Sequence, residues 1–289
     1  MDVWSIFDPI LKAILYIASF GSVGGVLFNF QFGKQLIPEQ QIYCSYLTHK
    51  STLLGAVTAV LMILSLAGNL GGDLASVIDP LMLQLAIESM AGVGYSTAFA
   101  GFVIMLIVKN LSANSKIFWS IIGSIGILFS FTMSGHSQSG GVITQVLLVL
   151  HLFGIAFWLG GLLPFRWICM QPDTSNLGVL AHRFGVLAAG YVGLLLSAGV
   201  VYAYLLLEDL SLIFITQYGN LLLIKILLVG TLLSLAALNK FKLVPLLEIE
   251  SSKAVRRFQI SVQFEIVLAL LILTASSLLT TSMTLPITG

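Results

Sequence analysis

Apolar residues run almost unbroken through eight stretches of the chain, at roughly 9–31, 50–69, 81–108, 117–134, 142–165, 184–207, 218–240 and 260–283. A helix needs about 20 such residues to cross a bilayer. The pattern therefore predicts an all-α polytopic membrane protein with eight transmembrane helices in contact with the lipid bilayer. The third stretch is long enough to begin as an interfacial turn before it crosses. No polar interval exceeds about twenty residues, so no second globular unit is expected.

A faint internal parallel runs through these stretches. Helix one carries Gly24-Gly25 and helix five carries Gly160-Gly161, while helices two and six each start with a histidine beside a basic residue, His49-Lys50 and His182-Arg183. The parallel predicts two four-helix halves in the same orientation, residues 1–134 and 135–289.

Composition strengthens the membrane reading. Of 289 residues, 58% are hydrophobic and 9% charged, with a mean hydropathy of +1.04. A soluble domain carries roughly 25% charged residues. A net charge of +1 gives no footing for nucleic acid. The start, Met1-Asp2-Val3-Trp4, lacks the basic segment of a signal peptide, so the first apolar run reads as a retained helix.

The distribution of charge predicts orientation. The odd-numbered loops hold Lys34, Lys50, Lys109, Lys116, Arg166, Arg183, Lys240, Lys242, Lys253, Arg256 and Arg257, and the even-numbered loops hold no Lys or Arg. Basic loops stay in the cytoplasm. Both termini and the polar turn Ser134–Gly141 then face the periplasm of a bacterial inner membrane.

Ionisable groups inside the apolar runs are the candidates for chemistry, because each is costly in hydrocarbon. Lys12 lies near the outer end of helix one and is expected to snorkel to the surface. His151 lies nine residues into helix five, roughly 14 Å deep. Glu88 and Lys225 each lie seven residues into their helices from the same side. The matched depth predicts a Glu88–Lys225 ion pair, with His151 nearby as a neutral ligand. Trp158 follows His151 by two turns and shares its face, with Gly154 between them.

Most methionines fall toward the outer side: Met62, Met82, Met90, Met133 and Met283, against Met105 and Met170. Thioether and imidazole suit copper. Met133 and His136 lie three apart, on one face if the helix persists. Methionine is also an ordinary gap-filler in apolar packing. Cys44 and Cys169 fall on the cytoplasmic side at no metal-binding spacing. No nucleophile–His–acid set and no HExxH appears, which argues against a hydrolytic enzyme.

At these residues the chain resembles a known family. The run His151-x6-Trp158-Leu159-Gly160-Gly161-Leu162, the preceding Gly135-His136, Tyr218-Gly219-Asn220-x4-Lys225 and Leu238-Asn239-Lys240 are similar to signatures of the CopD/PcoD copper-resistance family of inner-membrane proteins. The resemblance implies copper handling, often beside a small periplasmic copper-binding protein of the CopC type. No CopC-like domain is present on this sequence, so that partner is expected as a separate protein.

The combined expectation is copper uptake from periplasm toward cytoplasm. His136 and Met133 form the first position, His151 the intramembrane ligand, and Trp158, Glu88 and Lys225 support it. A b-type haem cytochrome is the alternative, since histidines within helices also ligate haem iron. A copper-binding sensor or assembly factor that moves no metal is the third reading. No P-loop is present, so transport would be driven by a gradient or a hand-off.

Overall fold

A computed structural model describes residues 3–108, 112–134, 141–206, 216–247 and 252–281. Among the described residues the ordered elements are all helical. They are α1 (Trp4–Phe32), α2 (Pro38–Gly71), α3 (Pro80–Glu88), α4 (Met90–Ile107), α5 (Ala113–Ser130), α6 (Gly141–Ile168), α7 (Leu177–Leu206), α8 (Gln217–Leu238), α9 (Val244–Leu247) and α10 (Ser252–Thr281). A π-helical turn, Asn239–Leu243, joins α8 to α9. Eight of the helices are long and apolar enough to cross a membrane. The chain is a polytopic all-α membrane protein.

Local chemistry explains the helix ends. Pro38 starts α2, where its missing N–H costs nothing. Gly72 ends it in the left-handed region at φ 79°, which a glycine adopts without strain. Asp79 caps α3 by accepting from the Leu81 and Met82 amides at 2.8 and 3.0 Å. The Ser89 side chain caps α4 by accepting from the Gly92 amide at 3.0 Å. That second cap divides the long third stretch: residues 80–88 form a separate short helix, and the span begins only at Met90.

Helix α1 is the most buried span and packs against α2, α5, α6 and α10. Helices α2, α4 and α5 pack on one side of it. On the other, α6 packs with α7 and α10, and α10 with α8. One glycine of each pair seen in the sequence, Gly24 and Gly160, meets the other where α1 crosses α6, while Gly25 faces Thr48 of α2 and Gly161 faces Phe184 of α7. A Cβ on Gly24 would overlap the Ala156 carbonyl and the Gly160 backbone, and one on Gly160 would overlap Gly24. Two backbones thus touch directly, as small residues allow in membrane helix pairs. Helices α7 and α8 are the least buried spans, and their outward faces are left for lipid.

Aromatic rings fill the crevices around α6. Phe157 stacks on Tyr191 of α7 at 3.8 Å between ring centres and on Phe184 at 5.1 Å. Phe165 meets Phe184 and Phe28 edge-on at 5.0 and 5.8 Å. These contacts fix the rotation of α6, and with it the direction of the polar side chains that α6 carries.

Candidate functional site

Helix α6 carries two polar stations, one at His151 and one at Trp158. They lie two turns apart, about 10 Å along the axis.

The His151 station faces α7. Its Nδ1 lies 2.9 Å from the Leu195 carbonyl oxygen. A carbonyl only accepts, so Nδ1 carries the proton and Nε2 carries the lone pair. The ring rests over Gly199, where an added Cβ would stand 2.8 Å from Nδ1. One turn later, Gly154 admits α7 itself: a Cβ there would stand 2.8 Å from that of Leu195. Both glycines are needed for the imidazole to seat against the α7 backbone. Lys225 of α8 is half-buried. This arrangement is the one that metal-ligating histidines use, with one nitrogen fixed by a carbonyl and the other left open.

The Trp158 station faces α10. Trp158 is buried, and its Nε1 donates to Glu265 Oε2 at 3.2 Å. Asn239, the first residue of the π-helical turn, donates through Nδ2 to the other oxygen, Oε1. Glu265 is only 3% exposed, thirteen residues into α10, and all of its hydrogen bonds come from neutral groups. Its importance was not read from the sequence. The signal was present, since an acidic residue among apolar ones deserves the same attention that Lys225 received. The eighth stretch was expected to begin at 260, which put Glu265 near the membrane surface. The helix begins at Ser252.

Two expectations are corrected. Glu88 and Lys225 do not pair. Glu88 is exposed and its hydrogen bond comes from the Gln84 amide at 2.9 Å. The Ser89 cap is the cause, because it leaves Glu88 at the end of α3 rather than seven residues inside a span. Lys12 does not snorkel. It is 3% exposed, and its ammonium donates to the Ser134 hydroxyl at 2.7 Å while facing the Tyr95 and Phe131 rings at 5.2 and 5.3 Å. Helix α1 begins at Trp4, earlier than expected, so Lys12 lies two turns inside it. The aromatic faces supply the attraction that water would otherwise give.

Met133 is half-buried at the end of the 3-10 turn Phe131–Met133, beside Gly94 and 4.0 Å from the Thr97 hydroxyl. His136 lies outside the described residues. Among the described residues no three of His, Cys, Asp and Glu gather as a metal cluster. His49 and His182 are both exposed; His182 lies five residues into α7, while α2 begins at Pro38 and so carries His49 eleven residues inside it, not at its start. Cys169 is buried just past α6, and burial pushes its thiol up to about 12, which keeps it protonated and a poor metal ligand.

The profile of the family described as Copper resistance protein D matches residues 178–279. That segment is similar to the CopD family. It holds Leu195, Gly199, Lys225, Asn239 and Glu265, so the matched segment supplies the partners that His151 and Trp158 reach for. Among curated proteins, the chain is 26% identical over 234 residues to the Copper transport protein CutJ of Bacillus subtilis, covering 74% of this chain and 42% of that protein. It is also 26% identical over 235 residues to the Inner membrane protein YebZ of Escherichia coli, covering 78% of this chain and 80% of YebZ. The chain thus spans less than half the length of CutJ. No solved structure matches.

Proposed function

We propose that this protein moves copper across a bacterial inner membrane, from periplasm toward cytoplasm, with His151 Nε2 as a ligand on the way. The observation that carries this reading is the His151 station: the Nδ1–H bond to Leu195 leaves an open imidazole nitrogen within a membrane bundle. Imidazole binds both common copper states. The Copper resistance protein D profile and the name of CutJ support copper as the cargo. The name of YebZ supports the inner membrane.

Orientation follows from charge. The basic loops lie at the cytoplasmic side, so His151 sits in the periplasmic half of α6 and Trp158 in the cytoplasmic half. Met133, at the periplasmic end with its thioether, is the described member of the first copper position, and His136 completes it. A separate CopC-like periplasmic protein is the donor. Glu88 has no part in the route, because it is held on the surface by Gln84.

Copper uptake into vesicles reconstituted with the full chain tests the proposal. Wild type accumulates copper and His151→Ala loses saturable uptake. Equal rates for the two proteins contradict the ligand assignment. Copper bound by wild type with no accumulation replaces transport with storage or delivery.

A further inference from the structure

Glu265 lies outside the route just described, and its surroundings are unusual for a membrane interior. A carboxylate there normally has a cationic partner. Here the neighbours that bond it are an indole and an amide, both neutral. Two more buried oxygens stand beside it with no hydrogen-bond partner, Asn239 Oδ1 and Ser261 Oγ. Ser261 is four residues from Glu265 on α10, hence on the same face. Asn239 opens a π-helical turn, a local widening that often marks a working position.

The charged and titratable groups on the packed elements are engaged elsewhere. On α1, Tyr16 bonds Thr280 and Lys12 bonds Ser134. On α6, His151 faces α7, and Arg166 donates to Gln263 at 3.1 Å. On α8, Lys225 lies fourteen residues before Asn239, about 21 Å along the axis, and Tyr218 lies farther still. In the π-helical turn, Lys240 lies over Phe241 and Lys242 is exposed. On α10 itself, Lys253, Arg256 and Arg257 are exposed at the basic end. None of these groups neutralises Glu265, which leaves a proton as the cation that can.

We propose that Glu265, with Asn239 and Trp158, is a proton-exchange site that couples cation passage to the opposite movement of a proton. This rests on the copper reading for the identity of the cation, but not for the exchange itself. In the resting protein the carboxyl group holds its proton. A cation advancing from His151 brings positive charge, the O–H bond breaks, and the proton leaves. When the cation departs, the carboxylate takes a proton again. For a monovalent ion such as Cu(I), net charge in the hydrocarbon is conserved throughout, which avoids the cost of an unpaired buried charge. The unpartnered Asn239 and Ser261 oxygens accept from the acid proton or from a water that carries it.

Infrared difference spectroscopy on the purified full chain tests the site without copper. Acidification should bring up the carbonyl stretch of a protonated carboxylic acid. That band should be missing in Glu265→Gln, which keeps the shape and one acceptor oxygen. In Trp158→Phe the band should persist with a displaced midpoint. Adding copper to wild type should remove the band and release about one proton per ion bound. In vesicles, Glu265→Gln should carry copper at a rate indifferent to an imposed pH gradient, while wild type responds to it. A band unchanged in Glu265→Gln, or copper bound by wild type with no proton release, overturns the proposal. Failure of wild type to bind copper refutes the copper reading alone, and the acidification band then decides Glu265 by itself.

Discussion

The two stations on α6 share one helix and differ in what completes them. At His151 the side chain is anchored by a backbone carbonyl, and the space for its ring comes from glycines. At Trp158 the contacts are between side chains, and a carboxylate is the centre. A backbone-anchored imidazole keeps one nitrogen open and changes little when it binds a soft ion. A carboxylate held by neutral donors changes charge whenever it gains or loses a proton. The comparison separates a place where an ion rests from a place where charge is exchanged.

The largest expected effect comes from breaking what both stations share. Gly160→Leu forces a side chain into the α1 backbone, and Gly24 cannot yield. We expect a loss of about 3 kcal/mol or more, read as a collapse of the Tm in detergent, with both stations lost together. A stable variant that retained copper binding would show that the α1–α6 contact does not set their register.

The next changes separate the stations. Trp158→Phe removes one of two donors to Glu265 and should cost about 1–3 kcal/mol, measured by thermal unfolding. Copper affinity at His151 should change only by what the displaced Glu265 midpoint transmits through proton release, and should match wild type at a pH where Glu265 is ionised in both. Gly199→Ala acts in the reverse sense. Its methyl group displaces the His151 ring from Leu195, which should weaken copper binding by about 10-fold in titration calorimetry while the Glu265 infrared band stays in place. If either variant disturbed the other station equally, the two would be one site.

The smallest expected effect is at Glu88. Glu88→Gln should alter stability by no more than about 0.5 kcal/mol and leave uptake as it is, because its hydrogen bond joins it to Gln84 on the surface. A large loss would restore the pairing with Lys225 that the geometry lacks.

How much of this was legible in the sequence depends on the length scale. Eight spans were readable because a run of about twenty apolar residues has few other uses. The two-turn spacing of His151 and Trp158 along one helix was readable, but not that one side chain reaches Leu195 of α7 and the other Glu265 of α10. The Ser89 break was not, because the apolar run continues through it and only the serine three residues before Gly92 marks a cap. That single cap moved Glu88 out of the membrane. The starts of α1 and α10 were each placed too late, which made Lys12 look superficial and hid Glu265. Polar residues at the mouths of helices, such as Ser5 and Ser252, belong to the helix although they do not add to its apolar run.

X-ray absorption at the copper edge, on copper-loaded protein, tests the open His151 nitrogen most directly. The account predicts imidazole scattering in wild type and in Glu265→Gln, and its loss in His151→Ala. Identical spectra from wild type and His151→Ala would contradict it.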